Sequence, residues 1–240
     1  MLFRGLTRIS RSAAVWASQV PSQCAVCHAW PSQRVCNACV ARFAQPVARC
    51  RRCALQVPAG ETECGACILQ PPIFDACVAA VDYAYPWVDA LADFKFRADP
   101  GWAGTLATLM RSTPWVEPAM EAADRVLPVP LSVQRLGERG FNQSALLARR
   151  LAGVKVDTGT LLRLHATEAQ SSLPRTQRLR NLQGAFAMEP GRAAALRGQR
   201  VVLVDDVMTT GATLHAAALA LREAGAAHIT AVVLARTPRA

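Results

Sequence analysis

VVLVDDVMTTGAT, residues Val201 to Thr213, joins four apolar residues, two adjacent aspartates and a turn of hydroxyl and glycine residues, and it indicates the fold more clearly than any other part of the sequence. The apolar run predicts a buried parallel strand, and the next segment, Thr213 to Gly225, has the composition of a helix. The turn therefore lies at a helix N-terminus, where free backbone amides and the positive end of the helix dipole favour an anion.

The polar residues of this stretch indicate the ligand. Asp205 and Asp206 stand at the carboxyl end of the predicted strand, where their carboxylates can accept hydrogen bonds from vicinal hydroxyls such as those of a ribose. Thr209, Thr210 and Thr213 add hydroxyl donors around a phosphate. Burial in a core gives no reason for two carboxylates beside three threonines, so the pattern predicts a sugar-phosphate site.

Composition limits the class of protein. The chain has 240 residues, 52% of them apolar, which predicts a globular fold with one large core and a small appendage. Charged residues or prolines interrupt every apolar run before it reaches the roughly 18 residues of a membrane span. We therefore expect a cytoplasmic protein with no stable membrane insertion.

Residues 1–20 are basic, with three arginines and no acid. An export signal is the alternative for this segment, but the apolar run from Ala13 to Ala17 is too short for the core of such a signal and contains a tryptophan. The segment is predicted to be a mobile basic arm.

Eight of the nine cysteines form four CxxC pairs, whose spacing lets a tight turn direct two sulfurs at one metal ion. The pairs are Cys24 and Cys27, Cys36 and Cys39, Cys50 and Cys53, and Cys64 and Cys67. Four such knuckles predict two structural Zn²⁺ sites, with redox chemistry and disulfides as weaker alternatives. Pairing in chain order would give a double zinc ribbon, and an interleaved pairing stays open. Two tetrathiolate zinc sites would lower the formal net charge of +10 to about +6.

The chain has no acidic residue before Glu61, so the cysteine-rich segment carries a positive field that suits a polyanion. Arg51 and Arg52 lie between two cysteines of this segment. They either offset the negative charge of the thiolates or contact a phosphate, which makes them candidate nucleic-acid contacts.

A proline-marked linker, Leu69 to Phe74, predicts a division into three parts: the arm (1–20), a double zinc ribbon (21–70) and an α/β domain (71–240). Helical and extended patterns alternate beyond the linker, which predicts a parallel sheet with helices on both faces. The expected strands are 77–83, 125–129, 161–165, 201–206 and 229–235, and the expected helices are 86–96, 102–111, 143–151 and 213–225.

A second loop at the carboxyl edge of this sheet, Pro128 to Gln143, is basic. Arg135 and Arg139 supply cations, and two glycines allow close approach, so the loop would fit a pyrophosphate. A plain basic surface loop is the alternative, with Asn142 capping the next helix. The polar segment Ala166 to Phe186 has the composition of a lid over a phosphate-rich substrate or of a solvated connection.

The stretch Val201 to Thr213 resembles the phosphoribosyl pyrophosphate (PRPP) motif of the type I phosphoribosyltransferases. Together with the cysteine-rich segment, PVPL followed by RGFNQ, and a TxxQxxL stretch before RxxN, it is similar to the ComF family of competence-associated proteins. The resemblance covers the chain from about Cys24. It implies a phosphoribosyltransferase fold behind a zinc ribbon, involvement in DNA uptake, and Mg²⁺ bound together with PRPP.

The resemblance also assigns residues. It implies that the acidic pair holds the ribose hydroxyls and would take part in catalysis, that the turn surrounds the 5-phosphate, and that Arg135 contacts the pyrophosphate. The implied PRPP site is Asp205, Asp206, Thr209, Thr210, Gly211, Ala212, Thr213 and Arg135. No side chain stands out as a general base, so the acceptor is left open.

Two functions follow from these patterns. The first is a PRPP-binding protein, a glycosyltransferase if active, acting on an unknown acceptor in nucleoside metabolism. The second is a non-catalytic module that binds single-stranded DNA and works with other competence proteins, with Arg51, Arg52 and Arg139 as candidate contacts. A redox or metal-storage role is a minor third alternative.

Overall fold

A computed structural model describes residues 22–97, 99–164 and 184–238. The prediction for residues 1–20 and most of the predicted lid segment lie outside these ranges. The chain divides into two compact units, residues 1–43 and residues 44–240. This division places the second half of the cysteine-rich segment in the same unit as the sheet. The domain boundary at the linker Leu69 to Phe74 stays a prediction.

The described part of the first unit is small. Its backbone forms an antiparallel bridge between Ser22 and Ser32, with hydrogen bonds of 2.9 and 2.7 Å. Helix α1 (Asn37–Phe43) closes it and contributes the buried Cys39. Because so few apolar side chains are buried here, the unit depends on its cysteines for a core.

The second unit contains the α/β fold that the alternation predicts. Its helices and strands, in chain order, are α2 (Gly65–Leu69), β1 (Ala76–Asp82), α3 (Trp87–Phe96), α4 (Trp102–Arg111), α5 (Val116–Ala122), β2 (Arg125–Pro128), α6 (Val133–Arg139), α7 (Gln143–Ala152), β3 (Leu161–Arg163), β4 (Phe186–Met188), α8 (Pro190–Ala193), β5 (Arg200–Met208), α9 (Ala212–Glu223) and β6 (His228–Arg236).

Four parallel strands form the main sheet in the order β1-β6-β5-β2. The long apolar strands β5 and β6 occupy the centre, where both faces are covered. Helix α9 packs on one face of the sheet, together with the buried cysteines Cys50, Cys53 and Cys67. Helices α4 and α7 also contact strands of this sheet. Strands β3 and β4 form a separate antiparallel pair, which the predicted strand at 161–165 did not anticipate.

Strand β5 determines where the polar residues lie. It pairs with β2 only as far as Val204 but with β6 as far as Met208, so it extends beyond the end of β2. The two aspartates therefore stand in the part of the strand that projects past its neighbour. In parallel sheets this carboxyl edge is where ligands bind. No helix among the described residues has the length and apolar character needed to cross a bilayer.

Candidate functional site

The carboxyl end of β5 leads into a short loop, Thr209 to Gly211, which we call the hydroxyl loop. Gly211 has a φ of +81°, a left-handed conformation that a side chain would strain, and it is the last residue before α9. The helix begins at Ala212, one residue earlier than predicted. The first-turn amides of this 12-residue helix, which have no hydrogen-bond acceptor within the helix, therefore lie at the end of the hydroxyl loop.

Asp206 is the most constrained polar residue of this edge. Its side chain is 7% exposed, and Oδ1 lies 2.9 Å from Nζ of Lys95, at the end of α3. The other oxygen, Oδ2, is buried and has no hydrogen-bond partner among the described residues. A buried carboxylate oxygen without a hydrogen-bond donor is costly.

Asp205 lies beside it in a different environment. Its Oδ1 accepts hydrogen bonds of 2.9 Å from the Ser144 hydroxyl, near the start of α7, and from the Asp206 amide. Burial and then the neighbouring Asp206 carboxylate raise the pKa of Asp205 to about 7, against the opposing effects of Lys95 and the hydrogen bonds. The pair therefore carries between one and two negative charges near neutral pH.

The threonines of the site differ in exposure. Thr209 is exposed, whereas Thr210 and Thr213 are half-buried. The Thr210 hydroxyl accepts a weak hydrogen bond of 3.4 Å from the Ala212 amide, which fixes it against the start of α9. These hydroxyls and amides lie together between the carboxyl end of β5 and the start of α9, an arrangement that suits a phosphate.

The basic loop after β2 contains an unpredicted helix. Ser132 caps the N-terminus of helix α6, because its hydroxyl accepts a hydrogen bond of 3.3 Å from the Arg135 amide. The helix buries none of its residues. Gly140, with a φ of +75°, ends it. Asn142 caps α7 as predicted, by accepting from the Ala145 amide, and it also donates to the Val129 carbonyl.

Two arginines, Arg139 and Arg163, interact electrostatically with the aspartate pair, and Arg135 interacts with both of these arginines. Burial lowers the pKa of Arg139, an effect that the Asp206 and Asp205 carboxylates oppose and the Arg135 charge reinforces. Burial and then the Arg135 charge lower the pKa of Arg163, on β3, and Asp205 opposes this. The guanidinium of Arg139 also lies 5.2 Å from the ring centre of the exposed Phe96. The structure thus collects positive charge within electrostatic range of the carboxylates.

Arg51 and Arg52 form ion pairs within the cysteine-rich segment. The Arg51 guanidinium lies 2.6 Å from a Glu63 oxygen, and Arg52 lies 3.3 Å from the same oxygen. Their contact with nucleic acid stays a prediction. Glu63 already offsets much of their charge.

The cysteines group in chain order. Each set of four Sγ atoms lies within 4.8 Å of one another: Cys24, Cys27, Cys36 and Cys39 form the first cluster, and Cys50, Cys53, Cys64 and Cys67 form the second. Measured S···S distances are 3.9 and 3.7 Å in the first and 3.6 Å in the second. A tetrahedral ion with bonds of about 2.3 Å to sulfur sets its ligands about 3.8 Å apart, so both clusters fit zinc.

The second cluster adjoins the hydroxyl loop within the same unit. A cleft of about 430 Å³ lies between them, lined on one side by Cys53 and Cys67 and on the other by the hydroxyl loop. Met208 and Phe74 supply apolar surface, and His215 lies on the first turn of α9. The cysteine-rich segment therefore contributes to the same edge of the sheet as the aspartates.

Sequence reasoning overlooked four residues of this edge: Lys95, Ser144, Arg163 and Arg236. Each is far in sequence from the aspartates, and each lies in a helix or strand whose apolar neighbours dominate the pattern. The scarcity of lysine was the only available signal, since Lys95 and Lys155 are the only two in the chain.

Comparison with known proteins agrees with this geometry. The phosphoribosyl transferase domain family matches residues 139–240, which include both aspartates and the hydroxyl loop. The DNA utilization protein YhgH of Salmonella typhimurium is 34% identical over 232 residues, covering 91% of this chain and 98% of that protein. Competence protein ComFC of Bacillus subtilis is 36% identical over 150 residues (62% of this chain, 59% of that protein). Competence protein F of Haemophilus influenzae is 31% identical over 173 residues (69% and 74%).

Proposed function

Because this chain belongs to the ComF family of competence-associated, phosphoribosyltransferase-like proteins, we propose that it binds PRPP at the carboxyl end of β5 and acts in the use of incoming DNA. The relatives named for competence and DNA utilization support the second part. The proposal places the protein in the bacterial cytoplasm, in association with other competence proteins.

The observation that carries the proposal is the unpartnered Oδ2 atom of Asp206. Its companion oxygen lies 2.9 Å from Lys95, so the carboxylate has a fixed orientation and one buried acceptor that no donor of the described residues fills. A ribose hydroxyl is a neutral donor of the right size to fill it. Asp205 stands beside it as the second acceptor for a vicinal diol, with its other contacts on Ser144 and the chain amide.

The remaining groups of the site would each bind a different part of PRPP. The hydroxyl loop and the first-turn amides of α9, at Ala212 and Thr213, would hold the 5-phosphate. Arg135, Arg139 and Arg163 would neutralise the pyrophosphate, whose departure during transfer leaves negative charge on its oxygens. Mg²⁺ bound with PRPP would supply further charge neutralisation at the phosphates. Transfer to an acceptor is the part of the proposal that depends most on a partner substrate, since no side chain stands out in the sequence as a general base.

Isothermal titration of the full-length protein with Mg-PRPP tests the proposal. We expect saturable binding to the wild type and an affinity at least about 10-fold lower for Asp206→Asn, because the substitution removes a charged hydrogen-bond acceptor. Asp89→Asn, an exposed carboxylate on the same helix as Lys95, is the matched control and should bind as the wild type does. Absence of binding to the wild type would end the proposal.

A second titration series identifies the group that is recognised. Ribose 5-phosphate should bind and 2-deoxyribose 5-phosphate should bind much more weakly, because the latter leaves one acceptor of the pair unfilled. Equal affinity for the two sugars would contradict recognition of the diol.

Single-stranded DNA binding is the second candidate. The acid-free start of the cysteine-rich segment and the relatives' names favour it, while the pairing of Arg51 and Arg52 with Glu63 reduces the charge available. It requires an affinity that falls steeply with salt, with a slope that becomes shallower in an Arg51→Gln/Arg52→Gln variant. An affinity indifferent to salt would exclude it.

A further inference from the structure

Arg236, the last residue of β6, joins the second cluster to the hydroxyl loop. It is only 5% exposed, and its guanidinium is surrounded by backbone carbonyls. Its Nε donates at 2.9 Å to the carbonyl of Cys53, a residue of the second cluster. Its Nη1 donates at 2.9 Å to the carbonyl of Met208 and also to the carbonyl of Thr209. One side chain therefore contacts both the Cys50–Cys53 turn of the second cluster and the start of the hydroxyl loop.

These contacts fix the direction of the loop amides. A trans peptide places its carbonyl oxygen and its amide hydrogen on opposite sides. Since the carbonyls of Met208 and Thr209 face Arg236, the amides of Thr209 and Thr210 point away from it. Arg236 thus presents two loop amides in the orientation that an anion outside the loop requires.

A second set of contacts holds the knuckle on the same strands. The Cys77 amide, on β1, donates at 2.9 Å to the carbonyl of Arg51, inside the Cys50 to Cys53 turn. The Cys77 sulfur lies 3.7 Å from the Met208 sulfur, directly before the hydroxyl loop. A displacement of the knuckle would therefore be transmitted to the loop by packing as well as by hydrogen bonds.

We propose that the metal ion of the second cluster positions the hydroxyl loop through Arg236, so that metal binding at this cluster and phosphate binding at the loop strengthen each other. The four thiolates fix the Cys50–Cys53 turn when they share one ion, and this fixes the Cys53 carbonyl that orients the guanidinium. Arg236 is a positioning residue in this scheme. The inference rests on the proposed PRPP site, because it assigns the loop an anion.

Reciprocity supplies a test that a purely structural role would not satisfy. If metal at the second cluster favours PRPP, PRPP must raise the affinity of that cluster for the metal by the same factor, and we expect this gain to be seen as slower metal release. We would follow zinc release to a chromophoric chelator from full-length Cys27→Ser protein, in which only the second cluster is complete. Saturating Mg-PRPP should slow release at least about fivefold, within the usual range of such couplings.

Two variants isolate the side chain. Arg236→Lys keeps the charge but loses the planar fork that spans three carbonyls, so PRPP should no longer slow zinc release and its affinity should fall about 10-fold. Arg222→Lys is the matched control, because Arg222 also donates to several carbonyls, those of Ala226 and Ala227, but at the other end of α9. It should leave the effect of PRPP on zinc release unchanged.

The outcomes separate the two proposals. PRPP that binds the Cys27→Ser protein without slowing zinc release overturns the coupling and leaves the proposed function standing. PRPP that fails to bind the wild type overturns both. If Arg236→Lys does not fold, the release experiment on the Cys27→Ser protein decides alone.

Discussion

Asp206 and Lys95 form a nearly buried ion pair whose partners come from different parts of the chain. Such a pair contributes little net stability, but removal of one partner leaves an uncompensated charge in the interior. In the proposed site this arrangement holds the Asp206 carboxyl in one orientation, with its second oxygen available to a donor of the ligand.

Lys95→Met should therefore lower the free energy of unfolding by about 2 to 4 kcal/mol at pH 8, because Asp206 loses its counter-ion. Urea denaturation of the single variant and of Lys95→Met/Asp206→Asn measures this. Part of the loss should return in the double variant, and strictly additive losses would show that the two groups do not interact.

Asp205 gives a pH dependence with a definite sign. Its pKa in the folded protein, about 7, exceeds that of an unfolded aspartate, so the folded state holds a proton that the unfolded state has released. The resulting stability is fully present below the unfolded pKa of about 4 and is lost as pH rises through about 7.

Asp205→Asn removes this dependence. Relative to the wild type, the free energy of unfolding of this variant should increase between pH 5 and pH 8.5, by about 1.4 kcal/mol for each pH unit between 5 and the folded pKa of about 7. Denaturation at both pH values, with Asp89→Asn as a control whose difference stays constant, tests the assignment. A constant difference for Asp205→Asn would contradict it.

The hydroxyl loop depends on its glycine. At Gly211 the φ is +81°, and an added Cβ would lie 2.5 Å from the Met208 Cε atom. The methionine end can move, but the backbone conformation cannot be relieved in the same way.

Gly211→Ala is expected to destabilise the protein by about 1 to 2 kcal/mol and to weaken PRPP binding, because the alanine favours a different turn before α9. Gly104→Ala, in the body of α4 with open space around it, should instead stabilise by about 0.5 to 1 kcal/mol and leave binding unchanged. Calorimetric titration and urea denaturation compare the two. Equal PRPP affinity for both variants would remove the loop from the site.

The helices and strands that sequence reasoning predicts best are those with the clearest apolar patterns. The limits of α4 are as predicted, and those of α7 and β6 are within one residue at each end, since buried side chains determine their periodicity. Helix α6 was missed because it buries no residue and so carries no apolar pattern. Strand β3 begins at the predicted residue, Leu161, whereas β4 was missed because its three residues are too few for alternation to be read.

The candidate site was only partly predictable for a related reason. Contiguous residues of one motif, such as Asp205 to Thr213, carry their own pattern and were identified as a site. Lys95, Arg163 and Arg236 join it only through the topology of the sheet, which brings the ends of α3, β3 and β6 to one edge. No local pattern marks them.

At the scale of the molecule, the two cysteine clusters have different settings. Cys50, Cys53 and Cys67 belong to the same buried apolar cluster as Leu203 of β5 and Leu214 of α9. The spacer between Cys53 and Cys64 also contributes to that core, through Ala54 and Leu55. The first cluster lies in the other compact unit.

We expect two zinc ions per chain, and one in either Cys27→Ser or Cys64→Ser. Cys64→Ser should lower the Tm of the sheet unit by at least about 5 °C, because loss of the ion releases part of its core, whereas Cys27→Ser should leave that transition in place. Elemental analysis and differential scanning calorimetry measure both effects. Identical transitions in the two variants would show that the second cluster does not support the sheet.

A co-crystal structure with Mg-PRPP tests the central claim most directly. The account predicts the 5-phosphate against the amides that follow Thr209, a ribose hydroxyl within hydrogen-bonding distance of Asp206 Oδ2, and the pyrophosphate facing Arg135 and Arg139. PRPP bound elsewhere, or a Oδ2 atom that the bound ligand leaves without a donor, would contradict it.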